Sequence, residues 1–363
     1  MRVIVVPNGV DTNRFRPINR GKAIDWFEQK FCELDDDLNI IYVGRLSEEK
    51  GIVYLIESLK HLDEGKLFLA GKGPQEMLLR KIAEKFEGRV VFLGKVRHDD
   101  LPLIHNAMDV FVLPSIGMEG FSNSMLEALA CGLPVVATPV GAAPEVIKPE
   151  MGIIVEPKNA RAIADGIEKV RDLNRKRIHN IVKSNYSFEV VADIVFDLYH
   201  RVAGYPPESL CFASLFTPPY ELSGVGMQVF QLSKTLISMK KCRVAILCGL
   251  GGEGIIDGVR LIKVRCVDGL LSRPVYSIAG ILKITNIIKN YKFDIVDGRN
   301  WEGGLISVMA KRGGCKAIMS LRGEGAVGES PWKRSINKFI MQRVDCVTAT
   351  DSKTAKMAEE LFT

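Results

Sequence analysis

The chain has 363 residues, 47% hydrophobic and 25% charged, which fits a soluble globular protein of about two domains. No apolar run reaches the ~18 residues of a membrane span, and the opening Val3-Ile-Val-Val-Pro7 is too short for a signal-peptide core. Eight scattered cysteines without a CxxC pair argue for a reducing, cytoplasmic compartment rather than a disulfide framework, and five histidines show no metal-ligand spacing. The net charge of +6 is uneven. Residues 1–200 carry 26 Lys and Arg against 29 Asp and Glu, and residues 201–363 carry 23 against 14. The second half is therefore expected to face something anionic. With no nucleic-acid-binding motif present, a phosphorylated acceptor or peripheral contact with the inner face of a membrane is the expectation for the basic 208–363 half.

In chain order, Val3 to Pro7 reads as a short buried strand broken by Pro-Asn-Gly. Ile40-Ile-Tyr-Val-Gly-Arg45 is a second strand, followed by a loop to Gly51 and the amphipathic helix Ile52 to Leu59. Arg45 and Lys50 fall in that strand-to-helix loop, at the carboxyl end of a strand, where open α/β sheets bind ligands. Two cations there suit a diphosphate, the guanidinium by its fork and the ammonium as a point charge. Lys66 to Ala70 is a third strand, ending in Gly71-Lys-Gly-Pro74, and Arg89 to Gly94 a fourth. Strands recur at 109–113, 133–137 and 153–155, and a helix from Phe188 to Tyr199 closes the first unit. Asp35-Asp36-Asp37 reads as a solvated loop and not as a metal-binding DxD.

Within this unit Glu119-Gly-Phe-Ser-Asn-Ser-Met-Leu-Glu127 lies between an apolar strand and Ala128-Leu-Ala-Cys-Gly132. It reads as loop then helix, with Ser122 or Asn123 as N-cap and Gly132 just past the end. Unpaired N–H groups at such a terminus suit phosphate, and two flanking carboxylates can accept from sugar hydroxyls.

Ala203-Gly-Tyr-Pro-Pro-Glu208 reads as a linker. The alternation then restarts with strand 210–216, the loop Ser223-Gly-Val-Gly226 and helix 227–239. Strands 243–248, 293–296, 316–321 and 345–349 follow, with helices 275–290, 303–311 and 332–343 between them and a last helix to Phe362. Alternating helices and continuous apolar strands imply parallel sheets covered on both faces. In helix 332–343, Trp332, Ile336, Phe339 and Ile340 share one face and the rest is basic. We read it as a core helix with a solvated basic face, in preference to a membrane-surface helix.

Four motifs in order, Pro7-Asn-Gly-Val-Asp11, Val43-Gly-Arg-Leu-Ser-Glu-Glu-Lys-Gly51, Gly71-Lys-Gly-Pro74 and Glu119-x7-Glu127, resemble the retaining GT-B glycosyltransferases, and family 4 among them. Pro218-Pro-Tyr-Glu-Leu-Ser-Gly-Val-Gly226 is similar to the glycine loop of that family's acceptor domain. The resemblance implies an α/β GT-B fold of two doubly wound Rossmann-like domains facing a cleft. Residues 1–200 would bind the donor, 201–207 would link, and 208–363 would bind the acceptor, with strand 2–7 and helix 188–200 packing on the other domain. That order reverses the family's, so the chain looks circularly permuted. The implied reaction is metal-independent transfer of a hexose-type sugar, with retention, from a nucleotide-diphosphate donor to a glycan, lipid-linked or small-molecule acceptor, without a cofactor.

By the same resemblance, Arg45 and Lys50 would hold the diphosphate, Glu119 the sugar hydroxyls and Glu127 the ribose. Gly44, Gly71, Gly73, Gly120, Phe121, Ser122 and Asn123 would line the donor site, with Gly224, Val225 and Gly226 completing it. Arg322 and Asn300 fall where an acceptor would bind; many relatives carry a histidine near residue 320, where this chain has Ser320-Leu-Arg322. Two other readings are a non-catalytic nucleotide- or glycan-binding remnant of a rearranged or fused gene, and a phosphorylase-like enzyme on the same fold.

Overall fold

The computed structural model describes residues 3–117, 119–215, 224–250, 252–264, 266, 272–328 and 330–362. Among them the strands in chain order are β1 Ile4–Val5, β2 Asn39–Val43, β3 Lys66–Ala70, β4 Val90–Gly94, β5 Val110–Leu113, β6 Val135–Ala137 and β7 Gly152–Ile154. They continue as β8 Ser209–Ala213, β9 Arg243–Cys248, β10 Gly254–Ile256, β11 Val259–Lys263, β12 Ile295–Arg299, β13 Lys316–Leu321 and β14 Cys346–Ala349. Two compact units result, Val10–Ser187 and the combination of Met1–Gly9 with Phe188–Thr363.

The Val10–Ser187 unit holds a six-stranded sheet ordered β4-β3-β2-β5-β6-β7, with each neighbouring pair parallel. Its strands are apolar on both sides because helices cover both faces. Ile41, Phe68 and Phe111 point into one core with Phe27 and Met125, while Ile40, Leu69 and Val112 point into the other with Ile56 and Ile167. Leaving β2, the chain winds outward through β3 and β4, then returns as β5 on the other side of β2. The strand order therefore reverses between β2 and β5.

The second unit holds eight strands ordered β1-β14-β13-β12-β8-β9-β11-β10. All neighbours are parallel except β10 and β11, an antiparallel hairpin at the edge. That hairpin departs from the all-parallel expectation, and its turn explains it: Asp257 and Gly258 both have positive φ, +49° and +81°, as a two-residue hairpin turn requires. β1 lies beside β14, with Ile4 opposite Thr348 and Val5 opposite Ala349, and the Val6 N–H donates to the Ala349 carbonyl at 2.8 Å. In this unit the order reverses between β8 and β12.

The helix Phe188–Ala203 packs Phe188, Val191, Val195 and Tyr199 against Phe212, Val229, Leu236 and Val244. The expected linker at 201–207 consequently lies within this unit and does not separate two. Asp294 fastens the stretch after the helix, accepting from the Tyr205 hydroxyl at 3.0 Å and from the Glu208 and Ser209 N–H groups at 2.8 and 2.9 Å. The chain passes between units at Gly9–Val10 and Ser187–Phe188.

Candidate functional site

The loops after β2 and β5 leave the sheet where its order reverses, the place where an open α/β sheet forms a ligand crevice. They are braced backbone to backbone. The Glu49 carbonyl accepts from the N–H groups of Ile116 and Gly117 at 2.8 and 3.1 Å. Gly51, at φ +63°, lies so close to the Pro114 carbonyl that a Cβ would stand 2.2 Å from its oxygen. This brace brings Lys50 and Glu119 together: Lys50 Nζ lies 2.6 Å from Glu119 Oε2, which also accepts from the Ser115 hydroxyl at 2.9 Å. Both side chains are mostly shielded, 20% and 13% exposed. Arg45 sits on the same loop with its side chain exposed and its carbonyl accepting from the Tyr42 hydroxyl at 2.8 Å. The Glu49 carboxyl is held below the usual carboxylate range, first by the Ser47 hydroxyl and further by the Lys50 and Arg45 charges. Burial, followed by the charges of Glu119 and Glu49, pushes the Tyr42 hydroxyl far up.

Gly71-Lys-Gly73 runs against the loop after β2. A Cβ at Gly71 would meet the Gly44 carbonyl oxygen at 1.8 Å, and one at Gly73 the Leu46 carbonyl oxygen at 2.1 Å. These glycines are accounted for by the packing of one loop on another. The helix after β5 is Asn123–Ala130, capped by Ser122, whose hydroxyl accepts from the Met125 N–H at 3.4 Å. Gly120 and Phe121 lead into it, with Phe121 packed edge-on to Tyr186 at 6.1 Å. Glu127 is one turn in and contacts His98 Nε2 at 2.8 Å. Sequence reasoning missed His98 and Ser115, each a polar residue on a neighbouring loop with no motif of its own. Among the described residues no group of three or more His, Cys, Asp or Glu could hold a metal ion.

In the second unit Gly224, Val225 and Gly226 open the helix Gly224–Ser238 after β8, and the 218–223 part of the expected glycine loop lies outside the described residues. Asn300 follows β12 at φ +54° and its Oδ1 accepts from the Arg322 N–H at 3.1 Å, while Arg322 Nη1 donates to Asn8 Oδ1 at 3.3 Å. The structure thus joins the two residues expected at the acceptor site. Beside them is a buried network that the sequence left unassigned. Asp297 accepts from the Tyr199 and Ser320 hydroxyls, the latter at 2.7 Å, and pairs with Arg299 at 3.2 Å. Arg299 lies over the Phe212 ring at 4.8 Å, and its Nε and Nη1 have no partner in the protein. A cavity of about 10 Å³, lined by Arg299, Arg322, Gln228 and Phe188, has room for about one water.

Comparison with known proteins agrees with this division. The family described as Glycosyl transferases group 1 matches residues 37–172, and Glycosyltransferase Family 4 matches residues 222–363. An uncharacterized glycosyltransferase of Methanocaldococcus jannaschii is 35% identical over 215 residues, 54% of each chain. The phosphatidylinositol N-acetylglucosaminyltransferase gpi3 subunit of Schizosaccharomyces pombe is 30% identical over 213 residues, 55% of this chain and 44% of that one. A Mycobacterium tuberculosis GDP-mannose-dependent alpha-(1-6)-phosphatidylinositol monomannoside mannosyltransferase is 32% identical over 178 residues, 46% of each. The chain spans about half the length of the curated relatives it matches. Among solved structures, the C-terminal domain of a Francisella tularensis glycosyl transferase group 1 family protein covers 49% of this chain and 99% of its own, at 28% identity and TM-score 0.43.

Proposed function

We propose that this chain, which carries a group 1 glycosyltransferase domain and a family 4 glycosyltransferase domain, transfers a hexose-type sugar from a nucleotide-diphosphate donor to a glycan, lipid-linked or small-molecule acceptor, with retention and without a metal. The observation that carries this reading is the Lys50–Glu119 pair where the sheet order reverses between β2 and β5. A hexose joined to a diphosphate presents an anionic phosphoryl group next to a hydroxyl-bearing ring. A shielded ammonium beside a shielded carboxylate matches that polarity. Lys50 and Arg45 would neutralise the diphosphate as the bond from the anomeric carbon to its oxygen breaks and the electron pair departs on the leaving nucleotide. Cations fixed beforehand stabilise that charge without reorganising. Glu119 would take ring hydroxyls, the N–H groups from Gly120 to Asn123 would face phosphate or sugar, and Glu127 would exchange His98 for the ribose. The acceptor hydroxyl would attack from the face the leaving group vacates and pass its proton to the departing phosphate.

Among the relatives, a GDP-mannose-dependent mannosyltransferase supports a nucleotide-sugar donor, and a phosphatidylinositol N-acetylglucosaminyltransferase subunit supports transfer of a hexose-type sugar. Acceptor recognition falls to the second unit, where Asn300 and Arg322 meet. We further read the order of the domains as circularly permuted relative to the family. The pairing of β1 with β14 supports this, because the strand before the donor domain completes the sheet of the unit that comes after it.

A thermal-shift screen of nucleotide sugars, followed by transfer assays with the stabilising donor, tests the proposal. Lys50→Ala and Glu119→Gln are each expected to lower kcat/KM by at least ~100-fold, about 3 kcal/mol of lost transition-state stabilisation. Full activity in both variants would remove these residues from the site. Donor binding without turnover under any acceptor would favour the non-catalytic remnant.

A further inference from the structure

The helix Pro331–Met341 does not sit as its sequence suggests. Its inward face is Asn337, Ile340 and Met341, with Asn337 Nδ2 donating to the Ala326 and Val327 carbonyls at 2.8 Å each. Those bonds set the helix's rotation and turn Trp332 and Phe339 outward, 52% and 45% exposed. The expectation of a core helix with a solvated basic face is therefore corrected, because two of the four residues assigned to the core face are at the surface and Ile336 is half-buried. Trp332 and Phe339 are seven residues apart, about two turns, and so lie on one side.

The helix is also strongly basic. Arg343 shares the side of the two rings, Lys338 and Arg334 lie further round the helix, with Arg334 Nε donating to the Gly328 carbonyl at 3.1 Å, Lys333 is half-buried, and no Asp or Glu occurs from Pro331 to Val344. Arg343 lies over the Phe339 ring at 3.7 Å and Lys333 within 5.9 Å of the Trp332 ring. Among the described residues none of the four forms a direct ion pair, and only the Lys333 charge acts on a neighbouring acid, the buried Glu302. Trp332 is held in place, standing edge-on to the buried Trp301 at 5.7 Å.

We propose that this helix docks on an anionic membrane surface, with the Trp332 and Phe339 rings at the boundary between headgroups and acyl chains and Arg334, Lys338 and Arg343 reaching lipid phosphates from around them. An amphipathic helix with aromatic residues on the buried side and Lys and Arg around them is what such an interface recognises. Charge complementarity alone would also suit an acidic protein, which does not call for two projecting rings, and rings among cations also suit single-stranded nucleic acid, for which the chain carries no binding motif. The surplus of 23 Lys and Arg over 14 Asp and Glu in residues 201–363 extends the favourable field beyond one helix. No helix among the described residues is long and apolar enough to cross a membrane. This inference stands independently of the transferase reading.

Co-sedimentation of the whole chain with phosphatidylcholine vesicles, with and without about 30 mol% phosphatidylglycerol at low salt, tests it. Binding is expected only to the anionic vesicles, with a blue shift of tryptophan emission that Trp332→Phe abolishes while binding persists. The double variant Arg334→Glu/Lys338→Glu is expected to weaken binding at least ~30-fold. Leu282→Ser, on the separate helix Ser272–Tyr291 where Leu282 is 74% exposed, is expected to leave it within about twofold. The variants change exposed side chains and the half-exposed Lys338, and unchanged melting curves will show that they fold. Equal binding to neutral vesicles, indifference to the charge reversal, or an equal loss in Leu282→Ser would overturn the assignment. So would self-association or nucleic-acid retention that the charge reversal abolishes while vesicles are ignored.

Discussion

Replacing Gly51 with alanine tests whether the brace between the loops after β2 and β5 makes the donor site. Gly51 has φ +63°, a conformation that costs an alanine roughly 1–2 kcal/mol. The new Cβ would stand 2.2 Å from the Pro114 carbonyl oxygen and 2.9 Å from Ile116 Cγ2, where ordinary contact begins at 3.4 Å. A backbone oxygen cannot rotate aside, so the loops have to separate, loosening the Ile116 and Gly117 bonds to the Glu49 carbonyl at about 1 kcal/mol each. The sum is ~3–4 kcal/mol, or about 10 °C in Tm for a unit of this size. Gly88 provides the comparison. Its φ is +84° but a Cβ there meets nothing within 4 Å, so Gly88→Ala carries only the conformational cost of ~1 kcal/mol. Urea unfolding and titration with the stabilising nucleotide sugar, on both variants and the parent, separate the two effects. Gly51→Ala should lose the larger stability and at least ~10-fold in donor affinity, a ~1.4 kcal/mol penalty for parting Lys50 from Glu119. Gly88→Ala should bind donor normally. If the two variants lose equal stability, or Gly51→Ala binds donor as the parent does, the loop contact does not set the site.

Three further variants, at two places in the cores, test the packing beneath the proposed sites. His105 is fully buried beside Phe111, neither ring nitrogen has a partner, and burial pushes its pKa down to about 3. The unfolded chain, with a histidine pKa of about 6.5, then binds a proton the native state refuses, so stability falls as pH drops from about 6.5 towards 3, by up to ~1.4 kcal/mol per unit. His105→Phe should remove that share of the acid slope in urea titrations at neutral and mildly acid pH, and an unchanged slope would mean the buried ring is not the source. Asp297→Ala should cost about 3–5 kcal/mol, because it strands the Arg299 charge, which is only 2% exposed. The double variant Asp297→Ala/Arg299→Met should recover part of that loss, and a purely additive double would deny the coupling.

Much of the architecture was legible because parallel strands buried on both faces are short continuous apolar runs, such as Ile40-Ile-Tyr-Val43 and Val110-Phe-Val-Leu113. Helix ends were legible where chemistry marked them, as with Ser122 and Gly132. The hairpin β10–β11 escaped notice although Asp257-Gly258 between Ile255-Ile256 and Val259 is its signal. The helix Arg20–Lys30 was missed for a different reason: it buries only Ala23 and Phe27, so its apolar period is too sparse to read. Composition at 203–208 suggested a boundary, but Asp294 satisfies the backbone of that stretch and the apolar face of Phe188–Ala203 decides which core it joins. Helix 332–343 misled because apolar residues on one side do not say which side is inward. The bonds of Asn337 to the Ala326 and Val327 carbonyls decide that, and a polar residue at the centre of an inward face has no periodic signal.

Glycines do similar work where the strand order of each unit reverses. In the first, Gly51 lets the loop after β2 touch the Pro114 carbonyl beyond β5. In the second, a Cβ at Gly303 would lie 2.3 Å from the Ala213 carbonyl oxygen at the end of β8, and one at Gly298 would lie 2.1 Å from the Gly303 carbonyl oxygen. The turn from β12 into the helix Asn300–Ala310 therefore crosses the end of β8 at backbone contact, and Asn300 takes φ +54° at the crossing. Where strand order reverses, the loops of adjacent strands diverge and would leave an open crevice. Backbone contact between them closes its floor and fixes the polar side chains standing on it, Lys50 with Glu119 in one unit and Asn300 with Arg322 in the other. Gly51 and Gly303 are thus needed for the geometry of the residues proposed to face ligand, whether or not a ligand touches the glycines themselves.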